Sequence, residues 1–364
     1  MLLSVSNISR GLLPGSSPDS IAIELTSRCN LHCKMCRFWK RRDKDVPYEK
    51  VLSLLDEAYK LGARRFDPWG TELFMRDDML DILAYANRIG YRFINLVSNG
   101  LLLNRPELLE GLARIRNLVI TVSLDGPETI HDELRGDGVF KQAVASLREL
   151  GQRKIARGIA SIIMRPTINH LDKIIDLAAD LKIRTVSLQP FNRNFLEPGS
   201  DETLFDFRPY EKKMISKKVK YLLKYAKRKK VLIYTRNMMK YAASYLAYGI
   251  NPIPPRGCQV PLKTLVVDIT GNTHPCYAIL KNMGNVNEMN LSSIWNSDIR
   301  RKCAISAIER KCPGCLMACS DVEGYNSEMK NNFSHMTDLT AGRVARYIER
   351  RFHSLRDFFD HSGE

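Results

Sequence analysis

The sequence has no long apolar run. Its longest uncharged apolar stretches, such as Ile159–Met164 and Val231–Tyr234, fall far short of the roughly 20 residues a membrane span needs. A secretory signal is also missing, because MLLSVSNISRGLLPGSSPDS does not place charge before an apolar core. A cytoplasmic protein is expected. Acid is in short supply: 40 Asp and Glu face 56 Lys and Arg, a net charge of +16. Such a balance points to acidic partners. Aromatic residues do not interleave with the basic ones, so nucleic acid is not an expected partner. Cysteine is absent between Cys36 and Cys258. The nine cysteines are an odd number and fall in two groups, which argues against a disulfide framework and for two metal sites.

What is present first is an alternation of patterns. Strands are expected at Ile21–Leu25, Arg65–Pro68, Phe93–Val97, Leu118–Leu124, Ile159–Met164 and Thr185–Gln189. Helical spacing marks Tyr48–Leu61, Met79–Ile89, Pro106–Arg114, Phe140–Leu150 and Leu171–Leu181. This order predicts an α/β fold with a parallel sheet and right-handed crossovers. About six units fit before residue 190, short of an eight-fold barrel. Asn192–Pro209 reads as a loop. Tyr210–Lys230 reads as a lysine-rich helix with Ile215, Val219, Leu222 and Ala226 on one face. Three prolines between Asn251 and Gly257 mark a domain boundary.

The first cysteine group, Cys29, Cys33 and Cys36, lies in ELTSRCNLHCKMC, just after the first strand. Thiolates are the usual ligands of iron–sulfur clusters. A [4Fe–4S] cube with three local cysteines keeps one iron open for a ligand. A structural zinc site is the competing reading, but zinc usually takes paired cysteines, and no partner pair lies in this half. The spacing resembles the signature of the radical S-adenosylmethionine (SAM) superfamily. That resemblance implies that the open iron chelates SAM and that one electron cleaves it to a 5′-deoxyadenosyl radical, which takes hydrogen from a substrate. Further residues follow in the family's order. Gly70, Thr71 and Glu72 are similar to its Gly-Gly-Glu stretch, with Thr71 and Leu73 departing from the commoner residues. Ser98 and Asn99 end the third strand, Ser123 and Asp125 the fourth, and Gln189 the sixth. Arg135 is similar to the family's basic residue for the SAM carboxylate. The resemblance assigns all of these to cofactor binding. His170 and Tyr277 are further pocket candidates, His170 equally a helix cap.

The second group reads Cys258-x12-Gly271-x4-Cys276, then Cys312-x2-Cys315-x3-Cys319. It is similar to the SPASM or shorter twitch module that follows many radical SAM cores, as is MGNVNEMNLSSIWNS between the cysteines. The resemblance implies one auxiliary [4Fe–4S] cluster on Cys258, Cys276, Cys312 and Cys315. Cys319 is the rival ligand. Cys303 stands alone in an expected helix, and a lone cysteine commonly packs as a small apolar residue. Two auxiliary clusters and a structural zinc knot are the alternatives. The expected architecture is a partial (β/α)6 radical SAM barrel at 20–250, after a short segment at 1–19. A SPASM/twitch module follows at 251–335, then a basic amphipathic helix at 336–364.

That last helix places Val344, Ile348, Phe352, Leu355 and Phe359 on one face. It can dock on its own domain or meet a membrane surface. The lysine-rich helix is a solvated face or a docking site for an acidic electron donor such as flavodoxin or ferredoxin. The expected activity is hydrogen abstraction from a small molecule such as a sugar, aminocyclitol or lipid-linked intermediate, by dehydrogenation or epimerisation. Cys303 or Cys319 would be the hydrogen donor of an epimerase. Modification of a ribosomally made peptide is the alternative, and the first twenty residues are too short for the leader-binding domain found in one subclass. A third reading is a non-enzymatic iron–sulfur or zinc-stapled scaffold.

Overall fold

Six strands begin a parallel sheet, each followed by a chain segment that returns over one face. The computed structural model describes residues 16–252, 257–312 and 314–316. Cys319 and the amphipathic stretch at 336–364 lie outside the described residues, as does most of the leading segment. The strands are β1 (Ser20–Thr26), β2 (Arg65–Gly70), β3 (Phe93–Ser98), β4 (Leu118–Ser123), β5 (Ala156–Ile163) and β6 (Thr185–Pro190). Each pairs parallel with the next. The helices between them are α1 (Tyr48–Leu61), α2 (Met79–Ile89), α3 (Pro106–Ala113), α4 (Glu128–Arg135), α5 (Val139–Gln152) and α6 (Leu171–Asp180).

The sheet is larger than the six strands expected. Beyond β6 lies the two-residue β7 (Leu232–Ile233), and beyond β1 lie β8 (Thr264–Val267) and β9 (Thr273–His274). The order is β7-β6-β5-β4-β3-β2-β1-β8-β9, and β8 runs parallel to β1. The hairpin that opens the C-terminal cysteine region is thus part of the core sheet. Leu265, Val266 and Val267 are all buried, as in a strand covered on both faces.

Period-2 alternation divides the strands. Phe66, Ile94, Leu96, Ile120, Val122, Ile159, Val186 and Leu188 are buried toward the helices. Their neighbours Trp69, Asn95, Thr121, Ser123, Ala160, Ser187 and Gln189 are only partly buried, and Val97 is 49% exposed. A half-exposed valine on an inner strand marks that face as open. It is the concave side of the sheet, and it carries the uncharged polar groups of Asn95, Thr121, Ser123 and Ser187 together with the paired charges of Arg65 and Asp67.

Two more long helices complete the core, α7 (Lys212–Arg228) and α8 (Met239–Tyr248). The buried residues of α7 are Ile215, Val219, Leu222 and Ala226, the four its sequence spacing selects. Its lysines stay on the outside. Short α9 (Leu291–Trp295) and α10 (Asp298–Ile308) follow the hairpin. No described helix is long and apolar enough to cross a membrane.

Candidate active site

The loop after β1 carries Cys29, Cys33 and Cys36, all half-buried free thiols. It is held from several sides by groups that owe nothing to the cysteines. Thr26 Oγ1 donates to Asp45 Oδ1 at 2.7 Å, and Arg28 pairs with the same carboxylate at 2.5 Å. Thr71 Oγ1 and the Glu72 amide both donate to the Arg28 carbonyl, at 2.5 and 3.1 Å. Asn99 Nδ2 donates to Asn30 Oδ1 at 2.7 Å. The Lys34 amide donates to the Leu134 carbonyl at 2.9 Å, and the Arg37 amide to Phe195 at 2.7 Å.

Gly70 makes this bracket possible. Its φ is +155°, and a Cβ there would stand 2.5 Å from the Thr26 carbonyl oxygen. The ends of β1 and β2 therefore meet at backbone distance, which only glycine permits. Thr71, a departure from the family pattern, uses its hydroxyl to fasten the cysteine loop.

Glu72 is fully buried. Its carboxylate accepts from Ser98 Oγ at 2.9 Å, the Asn99 amide at 2.7 Å and the Phe74 amide at 3.3 Å. Burial raises its pKa, and those three donors oppose the rise. The side chains of Glu72 and Ser98 are thus turned to each other, and the amides of Thr71 and Glu72 donate to the Thr26 and Arg28 carbonyls.

Asp125 is completely buried. Its Oδ2 accepts from Arg135 Nε at 2.6 Å, and its Oδ1 from the Ile162 amide at 2.8 Å. The Asp125 amide in turn donates to His131 Nδ1 at 3.1 Å. Burial, reinforced by Arg135, pushes the His131 pKa down to about 4. Burial works against the Arg135 charge, yet its ion pair with Asp125 holds its pKa above the usual range. The same guanidinium also acts on Cys36. Burial raises all three cysteine pKa values, Cys29 to about 11, and Arg135 lowers those of Cys33 and Cys36 against that rise. A fixed cation thus faces the thiols where a cluster would carry negative charge.

The second group comes together around one cavity. Cys258, Cys276, Cys312 and Cys315 all line it, with Pro252, Pro261, Ala278, Ile279, Ala307 and Gly314 as its apolar walls. Burial pushes Cys276 up to about 11. Gly257, just before Cys258, lies so close to the end of α10 that a Cβ would meet the Ile308 carbonyl oxygen at 2.1 Å. Cys303 sits on α10 outside the residues that form this wall. Among the described residues no three His, Cys, Asp or Glu side chains close on a single point. What each set shares is a loop or a cavity. Thiols around an apolar cavity suit an iron–sulfur cluster.

The other candidates are placed as follows. Gln189 Nε2 donates to the Leu316 carbonyl at 2.6 Å, so its amide joins β6 to the second cysteine segment. Ser123 is on the concave face at the end of β4. His170 is the N-cap residue of α6 but makes no side-chain cap bond. Tyr277, next to Cys276, stands edge-on to Trp69 at 5.6 Å.

Several site residues carry no local sequence signal, because their partners are distant. Asp45 anchors the cysteine loop. Arg76 is buried and donates to the Leu25 and Val46 carbonyls at 2.9 and 2.8 Å. Glu24 is buried and pairs with Arg41 at 2.5 Å, and it also accepts from the Ile269 amide of the hairpin at 3.2 Å.

Comparison with known proteins agrees with this layout. Residues 23–180 match the model of the radical SAM superfamily, and residues 258–320 match that of SPASM, an iron–sulfur cluster-binding domain. The AdoMet-dependent heme synthase of Methanosarcina barkeri is 25% identical over 330 residues, 82% of this chain and 91% of that protein. The PqqA peptide cyclase of Streptomyces rochei is 28% identical over 176 residues, 47% of this chain and 48% of its own length. The fold is similar to Streptococcus suis SuiB, solved with S-adenosylmethionine bound, with a TM-score of 0.64 at 17% identity over 82% of this chain and 73% of that one. The chain belongs to the radical SAM superfamily, with a [4Fe–4S] cluster and SAM as its cofactors and a C-terminal SPASM domain for auxiliary iron–sulfur binding.

Proposed function

We propose that the chain abstracts hydrogen from a small, hydroxyl-rich molecule of the sugar or aminocyclitol class, by dehydrogenation or epimerisation. The observation that carries this reading is the concave face. Asn95, Thr121, Ser123 and Ser187 present amide and hydroxyl groups there, between the cysteine loop and the Gln189–Leu316 contact. Arg65 reaches this face too, but its Nε is bonded to both oxygens of Asp67, at 2.9 and 2.7 Å. Such a lining suits neutral polar groups and gives little to a polyanion.

The bound cluster and SAM would supply the 5′-deoxyadenosyl radical. In this reading Cys29, Cys33 and Cys36 hold that cluster, and Arg135 balances its charge. The backbone at Gly70–Glu72 and the polar residues Ser98, Asn99, Ser123 and Asp125 shape the SAM pocket, partly by fixing the loops around it. Cys258, Cys276, Cys312 and Cys315 hold one auxiliary cluster, and Gln189 ties its segment to the pocket wall.

A second reading, modification of a peptide, is favoured by the similarity to the PqqA peptide cyclase. Label transfer separates the two. The reduced enzyme is given SAM with a panel of deuterated polyols and aminocyclitols, and separately with deuterated short peptides. Mass spectrometry then measures deuterium in the released 5′-deoxyadenosine. Transfer from a polyol is the expected result. Transfer from peptides alone would replace the first reading with the second.

A further inference from the structure

Trp69 stands at the C-terminal end of β2, one residue before Gly70. Strand alternation places it on the concave face, and the backbone contact of Gly70 with Thr26 fixes its position. Its indole Nε1 is buried and has no hydrogen-bond partner among the described residues. A buried indole N–H ordinarily finds an acceptor. Trp295 in the same molecule does so, donating to the Ser16 carbonyl at 2.7 Å. The carboxylates that sequence and register bring near Trp69 are already engaged: Asp67 by Arg65, Glu24 by Arg41 and the Ile269 amide, and Glu72 by three donors. On the other side is the ring of Tyr277, edge-on at 5.6 Å with an interplanar angle of 77°. Tyr277 directly follows Cys276, which lines the cavity of the second cysteine group, so the contact links β2 to that segment.

We propose that the Trp69 indole N–H donates a hydrogen bond to an oxygen of bound SAM, and that Tyr277 positions the indole from the C-terminal domain. SAM offers such oxygens in its methionyl carboxylate and its ribose hydroxyls. The inference rests on the turn at Gly70–Glu72 lying against SAM. It makes Trp69 a point where the auxiliary domain touches the cofactor pocket.

The test is SAM binding, measured by equilibrium dialysis on anaerobically reconstituted protein with iron counted per chain. Trp69→Phe keeps most of the ring and removes the donor. Loss of one net hydrogen bond should weaken SAM about three- to tenfold with iron content unchanged. Tyr277→Ala keeps the donor and removes the ring that positions it, so it should weaken SAM by a smaller factor. Ultraviolet resonance Raman of the wild-type protein gives a readout that needs no variant. SAM should shift an indole band toward its hydrogen-bonded position. Equal SAM affinity in wild type and Trp69→Phe, or no Raman shift, would overturn the proposal. The N–H would then be directed at substrate. A wild-type protein that binds no SAM would instead remove the reading on which the inference stands.

Discussion

Replacing Cys29, Cys33 and Cys36 together by alanine should reduce 5′-deoxyadenosine formation to background while leaving the fold in place. Burial raises the pKa of all three thiols. In this reading a binding metal centre would displace their protons into solvent, so the cluster and its thiolate ligands would form together. Without the sulfurs the cluster would have no ligands, and SAM would lose the open iron of that cluster. The loop itself has other fastenings: the Arg28–Asp45 pair, the Thr71–Arg28 and Asn99–Asn30 bonds, and the amides of Lys34 and Arg37. The circular dichroism spectrum of the variant should therefore match that of wild type. The variant should also keep about four iron in the C-terminal domain, as expected for one cluster on four thiolates. Loss of all iron would show that the two sites depend on each other.

Asp125→Ala should be the most damaging single change away from the cysteines. Asp125 joins three elements: it lies two residues after β4, accepts from Ile162 on β5 and pairs with Arg135 at the end of α4. Removing it leaves a buried guanidinium without its counter-charge and a buried amide without its acceptor. Breaking a buried pair in this way costs about 3–5 kcal/mol. The Asp125→Ala/Arg135→Met double variant removes both charges and should recover part of that loss. Urea denaturation of the two variants measures the difference. Nucleoside formation should stay low in both, because Arg135 also faces Cys33 and Cys36. A double variant no more stable than Asp125→Ala would show that the Ile162 bond, not the ion pair, carries the effect.

Much of the core was legible because its periodicities are long and regular. The expected helices Tyr48–Leu61 and Met79–Ile89 are α1 and α2 to the residue, and six strands lie within a few residues of their expected bounds. The misses have physical causes. β7 has two residues, too few for any pattern. In α4, ETIHDELR, only His131 and Leu134 are buried, so the helix shows little apolar stripe. The boundary placed at residues 251–257 hides a pairing 244 residues apart. Ser20 faces Thr264 across β1 and β8, and their hydroxyls bond at 3.0 Å. Local spacing carries no trace of that contact.

The site divides along the same line. Cys29, Cys33 and Cys36 announce themselves by spacing, as do Cys258, Cys276, Cys312 and Cys315. The orientations of the other residues do not. Sequence suggests Glu72, Ser98 and Gln189 as ligand groups, whereas their side chains fasten one loop to another. Trp69, Arg76 and Asp45 carry no signal in the sequence, since each gains its role from neighbours distant in sequence.

The most direct test of the central claim is a count of iron and sulfide per chain in anaerobically reconstituted wild-type protein, followed by reduction with dithionite in the presence of SAM. About eight iron with matching sulfide, as for two [4Fe–4S] clusters, and release of 5′-deoxyadenosine are expected. About twelve would add a second auxiliary cluster and bring Cys303 and Cys319 in as ligands. Zinc in place of iron, with no nucleoside formed, would contradict the claim.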